Sequence, residues 1–252
     1  MNAETMARVA TRAAGCCVMS GLRWENYLFI AAGLQPILHI GDESEAGNAM
    51  NESSMPTNVV ALDTSVPVWE QFFTIAPLVL IGTRDVEGVL DFAPKHMVTP
   101  MGWQNYFGFV CTPRHSTCVN IEQTGEFTVT YPKPSQVLFA SLAASPRCEG
   151  GDKPVIDLIR TFPAAEIDGF FAEDGYLYFE CRHFKTVDGF GDNCLITGEI
   201  VRGWADDEFL RHTETDDQET IHASPLLAYI APGRFATVDR SNAFPFPESM
   251  KK

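Results

Sequence analysis

Residues 77–98 read PLVLIGTRDVEGVLDFAPKHMV, and their pattern sets the architecture. Pro77 to Arg84 is a continuous apolar run with a polar end, the composition of a strand buried on both faces. Asp85 to Gly88 is a turn signal, and VLDFAP resumes an extended pattern, so the stretch predicts a β-hairpin.

Working outward, the strands continue. YFGFVC (Tyr106 to Cys111) predicts a third. In EFTVTYP, Phe127, Val129 and Tyr131 alternate with Thr128 and Thr130, which is period two. YLYFECRHF (Tyr176 to Phe184) and CLITGEIVRGW (Cys194 to Trp204) predict two more, joined by KTVDGFGDN with its Gly-Phe-Gly turn. Helices are fewer. STCVNIEQTGE predicts one with Ser116 as N-cap and Gly125 as its closing glycine. SQVLFASLAAS (Ser135 to Ser145) predicts a short one. KPVIDLIRTF sets Val155, Leu158, Ile159 and Phe162 at helical spacing, with Pro154 suited to the first turn. The expectation is a mainly β chain with a few short helices and a closed β architecture.

The 252-residue chain divides near residue 60. Residues 1–60 hold the Ala-rich MARVATRAAGCC, the apolar run YLFIAAGLQPILHI and the polar GDESEAGNAMNESSMPTN. They read as an N-terminal extension or disordered linker, with Met50 and Met55 as alternative starts of translation. Residues 61–252 read as one domain. The apolar run is broken by Gln35 and Pro36 and is too short to span a bilayer. It also comes late and follows Glu25, which is not signal-peptide order. A cytoplasmic protein is expected.

Eighteen Lys and Arg face 33 Asp and Glu, a net charge of −15. That argues against nucleic acid or an anionic membrane as main partner, since both need basic patches. It leaves room for an anionic cofactor held by a few local groups. The seven cysteines are odd in number and form no C-x-x-C, so reduced thiols are expected. Cys111 and Cys118 with His115, and Cys181 and Cys194 with His183, lack metal-ligand spacing and read as core; no metal is expected. DDE (Asp206 to Glu208) and ETDDQE (Glu214 to Glu219) read as solvated loops.

The order of motifs resembles a known family. PLVLIGTRD-VEG-VLDFAPKHMV, then NYFGFVC, then STCVNIEQTGEFTVTYP, and finally CLITGEIV follow the plan of the flavin reductase-like family, whose fold is the FMN-binding split β-barrel. The resemblance covers about residues 66–240. It implies FMN at the interface of a homodimer, reduced by NADH or NADPH. Ala93, Pro94, Lys95, His96 and Met97 match the segment that lines the flavin, with His96 where the family usually has a small hydroxyl. Thr117 and Asn120 match the family's T-x-x-N, near which phosphate and ribityl groups lie. Arg234 and Phe235 in the tail LLAYIAPGRFATVDRSNAFPFP are candidates to reach the pocket. Asp192-Asn193 departs from the pattern, since many reductases of the family carry an acidic residue and then His there.

The residues make a parallel case. A flavin needs an apolar slot, donors along its polar edge and an anion site. The N-terminus of the 116–124 helix offers free N–H groups, Ser116 and Thr117 add hydroxyls, and Arg114 or Lys95 adds charge. Ser116 and Thr117 also read as plain caps, and Asn120 as bonded within its own helix. Trp103 reads either as a cover for the flavin face or as packing at the barrel end. No nucleophile–base arrangement stands out, and a flavin reductase needs none, because its protein aligns rings for hydride transfer. The expected function is NAD(P)H-dependent reduction of flavin, or of a small organic acceptor through FMN. The alternative is a non-catalytic FMN-binding electron carrier.

Overall fold

The computed structural model describes residues 56–145, 147 and 153–247. The extension expected over residues 1–60 lies almost wholly outside the described residues, as do Met50 and Met55. The hairpin at 77–98 forms as its pattern predicts: β2 (Val79–Arg84) pairs antiparallel with β3 (Leu90–Lys95), Leu80 opposite Pro94 and Ile81 opposite Ala93. After a two-residue bend the chain enters β4 (Val98–Pro100), then β5 (Tyr106–Cys111), helix α1 (Ser116–Thr124) and β6 (Glu126–Pro132). The short helix α2 (Val137–Leu142) follows, then β7 (Thr161–Pro163) and β8 (Phe170–Ala172). Two long strands, β9 (Gly175–Phe190) and β10 (Asn193–Ala205), precede α3 (Asp217–Ala223), β11 (Leu226–Ala231) and β12 (Arg234–Val238).

Seven strands form one antiparallel sheet in the order β3-β2-β6-β9-β10-β5-β4. Its two edge strands, β3 and β4, are neighbours in the chain, with only His96 and Met97 between them. The sheet must therefore curl until its edges meet at that bend, which gives a split barrel. One face closes on an interior of Val79, Ile81, Phe107, Phe109, Phe127, Val129 and Ile196, with Ile121 and Cys118 of α1 plugging it. The other face, carrying Leu80 and Phe92, is covered by α2 and by β8 through Ala140, Ala143 and Ala172. Gly82 permits that cover to come close, since a Cβ there would lie 2.8 Å from the Phe170 carbonyl. A separate sheet, β1 (Thr74–Pro77)-β11-β12, is built from the tail.

Four local expectations are corrected. Ser116 does not cap α1: His115 holds the N-cap position, and the Ser116 hydroxyl donates to Asp91. Gly125 does close the helix, left-handed at φ 75° with its N–H on Ile121 O. KPVIDLIRTF makes only a 3-10 turn at Ile156–Leu158 before β7 begins. There Lys153 is anchored to Asp91, and Phe162 packs on Phe171 and Tyr178, so tertiary partners override the helical spacing. The end of ETDDQE is helical, because Asp216 accepts the Gln218 N–H as N-cap, and Asp217 and Glu219 suit the first turn of α3. β9 runs through the expected Gly-Phe-Gly turn as far as Phe190, and Gly191 and Asp192 make the reversal.

A buried carboxylate ties the cover to the sheet. Glu180 of β9 accepts the N–H groups of Ala165 (3.1 Å) and Glu166 (2.6 Å) and the Trp204 indole N–H (2.8 Å). Burial opposes its charge, but these donors outweigh burial and hold the carboxyl below its ordinary 4.5. A depressed acid stabilises above its unfolded pKa and loses that contribution as pH falls through the folded one. Glu180→Gln is therefore expected to cost about 1.5–3 kcal/mol at neutral pH and to show a flatter loss of stability below pH 4.5 than the parent. Urea midpoints across that range measure both.

Candidate functional site at the barrel corner

The bend at His96 and Met97 is where the main chain crosses from one sheet edge to the other, so its surroundings come from several elements. Val110 N–H donates to the Met97 carbonyl at 2.9 Å and fixes β4 against β5. Half-buried Lys95 points its ammonium to Cys111 Sγ at 3.4 Å. The His96 ring lies against Tyr229 of β11, centroids 4.5 Å apart. Burial, and then the Lys95 charge, lower the His96 pKa, so its imidazole is neutral at neutral pH. Phe235 of β12 sits opposite Tyr229 in register, which brings the tail strand beside the corner. Met97 is exposed, Ala93 and Pro94 are half-buried in β3, and Arg234 is exposed at the start of β12.

Beside the bend, α1 opens toward a cluster of cations. Asp91, 2% exposed, accepts the Ser116 hydroxyl at 2.6 Å and the Lys153 ammonium at 2.9 Å, with Arg147 at 3.5 Å. Lys153 also donates to the Phe92 carbonyl at 2.6 Å. Its ammonium is held below its ordinary pKa by burial, against the pull of Asp91, and Arg147 and Lys95 add to the lowering. Lys95 and Arg114 act together on His115, which burial and their charges also lower. Two cations, Lys153 and Arg147, thus pair with one buried carboxylate, while Lys95 and Arg114 bring positive charge to His115 at the start of α1. The N–H groups of Ser116 and Thr117, in the first turn of α1, donate to no acceptor among the described residues. Orphan amides at a helix N-terminus with cations nearby are of the kind that suits an anion.

Of the residues singled out in the sequence, Lys95, Arg114, Ser116 and Thr117 come together at this end of α1. Asn120 does not face outward: it is buried, and its amide donates to Thr83 Oγ1 at 3.0 Å, tying α1 to β2. Thr117 is buried too. Trp103 is 88% exposed. His183 pairs with Thr186 Oγ1 at 2.9 Å, away from the corner. Cys111, Cys118, Cys181 and Cys194 are buried core thiols, and burial pushes Cys118 up to about 12. Thr112 Oγ1 donates to Asn193 at 3.2 Å, so the departure at Asp192-Asn193 sits beside the turn that leads into α1. Sequence reading missed Asp91, Arg147 and Lys153. A carboxylate between Leu90 and Phe92 in an apolar strand was the available signal, because such a charge is almost never buried unpaired.

The family model for the flavin reductase-like domain matches residues 73–231. The chain belongs to the flavin reductase-like family. Membership places this domain among flavin-related oxidoreductases. No match is found among curated proteins. Solved structures share the fold of this flavin reductase-like domain. The flavoredoxin of Methanosarcina acetivorans is 18% identical with a TM-score of 0.61, over 76% of this chain and 97% of that one. The FMN-binding protein of Thermus thermophilus, solved with 1-cyclohex-2-enone, is 17% identical with a TM-score of 0.60, over 73% and 98%. The 2-nitrobenzoate 2-nitroreductase of Pseudomonas fluorescens is 17% identical with a TM-score of 0.59, over 70% and 87%.

Proposed function

We propose that the chain binds FMN at the barrel corner and uses it for NAD(P)H-dependent reduction of flavin or of a small organic acceptor. The observation that carries this reading is the anion site at the N-terminus of α1. Its orphan N–H pair and the Lys95 and Arg114 charges match a phosphate monoester, which an acidic chain has little other reason to attract. The half-buried corner of Ala93, Pro94 and His96, with Met97, Tyr229 and Phe235 around it, supplies apolar and aromatic surface for a flat ring. FMN supplies the hydride relay when bound. The chain's own part is to orient and to exclude water. Neutral His96, held by Tyr229, offers a hydrogen bond without adding charge, and no side chain need act as acid or base.

We further propose a homodimer. Met101, Trp103 and Phe184, which packs on Tyr106, expose apolar surface at the turn from β4 to β5, of the kind that marks an interface. The purified protein is expected to show visible flavin absorption, or to acquire it on adding FMN. It should then oxidise NADH or NADPH steadily with added flavin. Bound FMN without nicotinamide oxidation would mean an electron carrier, in keeping with the missing His at Asn193. A protein that binds no FMN would sink the proposal.

A further inference from the structure

We propose that a hollow on the far side of the seven-stranded sheet is a second ligand site, shaped for an uncharged aromatic molecule with a hydroxyl or amino head. The hollow lies between the outer face of the sheet and its cover and encloses about 580 Å³, within the range of small-molecule sites. Leu80 and Thr130 form the floor, and Phe139, Leu158, Ile159 and Ala172 the apolar walls. None of its lining residues belongs to the corner described above.

Three observations specify the occupant. First, Thr130 is 1% exposed, and its hydroxyl is the one buried side-chain polar atom without a hydrogen-bond partner among the described residues. Native folds satisfy such groups almost always, so an orphan calls for a use. Its setting is fixed: a Cβ on Gly175 would lie 2.5 Å from the Thr130 methyl, so β9 holds that side chain closely. A ligand hydroxyl or amine would give the hydroxyl its missing partner. Second, the mouth is built from an ion-pair set. Arg160 bridges Glu173 at 3.2 Å and Asp174 at 2.7 Å, and Gln136 donates to Asp174 at 3.2 Å. Two carboxylates on one guanidinium leave the mouth net negative, which disfavours organic anions. Third, Asp174 is the one described residue other than glycine with a left-handed backbone, at φ 62°. An Asp takes that conformation readily in a tight turn, and here the turn between β8 and β9 holds its carboxylate at the mouth against Arg160 and Gln136.

1-Naphthol serves as the probe, titrated into the full chain and followed by its fluorescence and by calorimetry. It is expected to bind saturably at one site, with affinity unchanged by saturating FMN. 2-Naphthalenesulfonate, with the same rings and a negative head, should bind more weakly. Thr130→Val removes the orphan hydroxyl at nearly constant shape, so it should raise the melting temperature while weakening naphthol binding about tenfold. Ile159→Trp fills the hollow from its half-buried rim and should abolish binding. Absence of saturable binding overturns the proposal. So does displacement by FMN, or undiminished affinity in either variant. Because saturable naphthol binding and its loss in the two variants are read without flavin, their failure is separate from failure of the corner reading.

Discussion

Replacing Asp91 by Ala is expected to cost about 3–5 kcal/mol of stability, the scale for breaking a buried ion pair by deleting one partner. The reason lies in what the deletion leaves behind. The Lys153 side chain is 6% exposed, and its nearest anion is Asp91. Burial and the charges of Arg147 and Lys95 already work against its proton, and Asp91 is what counters them. Without the carboxylate, an ammonium stays buried with only the Phe92 carbonyl as partner, and the Ser116 hydroxyl at the start of α1 loses its acceptor. The deficit should depend on pH with a definite sign. In the variant the folded Lys153 pKa is depressed further, so the unfolded chain binds more protons between that value and the ordinary 10.5. Stability then rises with pH across that window, and the deficit shrinks. Urea denaturation of parent and Asp91→Ala at neutral and alkaline pH measures this. Adding Lys153→Met should recover most of the loss, because the penalty belongs to the unpaired charge. A single-variant cost below about 1 kcal/mol, the scale of an exposed pair, would mean that the cluster is effectively solvated.

Much of the fold was legible because its signals are local. The turn at Asp85 to Gly88, the alternation in EFTVTYP and the closing glycine at Gly125 each carry their own geometry, and each appears where its pattern put it. The failures share a cause. KPVIDLIRTF has helical spacing, but Lys153 answers to Asp91, 62 residues away, and Phe162 answers to Phe171 and Tyr178. No window of sequence contains those partners. The α3 error differs: Asp216 was a readable N-cap, and a reading of charge alone hid it. The small β1-β11-β12 sheet pairs residues near 75 with residues near 230, a separation that periodicity does not report.

The candidate site divides along the same line. Lys95, Arg114, Ser116 and Thr117 lie in two short stretches, and the motif order brings those stretches together. Arg147, Lys153 and Tyr229 arrive from elsewhere in the chain and were not legible. Asn120 is the instructive case. Its place in the T-x-x-N suggested a ligand contact, while the fold spends its amide on Thr83. Position in a motif names a neighbourhood, and burial then decides which way each side chain faces.

The second large effect is expected at the anion site itself. Lys95→Met with Arg114→Ala should weaken FMN binding about 100-fold or more, since each charge-assisted bond to a phosphate is worth about 1.5–3 kcal/mol. Methionine keeps the apolar stem of Lys95 against its half-buried surroundings, and Arg114 is exposed, so the fold should tolerate both changes. Thr117→Ala is a poorer probe, because Thr117 is buried and its loss would disturb packing at the start of α1. Riboflavin makes the test specific. It carries the same ring system without the phosphate, so its affinity should be nearly equal in parent and double variant, and only FMN should separate them. Salt provides a second handle: FMN affinity in the parent should fall with ionic strength, and that slope should flatten once the two cations are gone. Fluorescence titrations of both flavins at low and high salt supply all four comparisons. Equal losses for FMN and riboflavin would move the phosphate away from α1 and leave Lys95 and Arg114 as supports of the ring pocket.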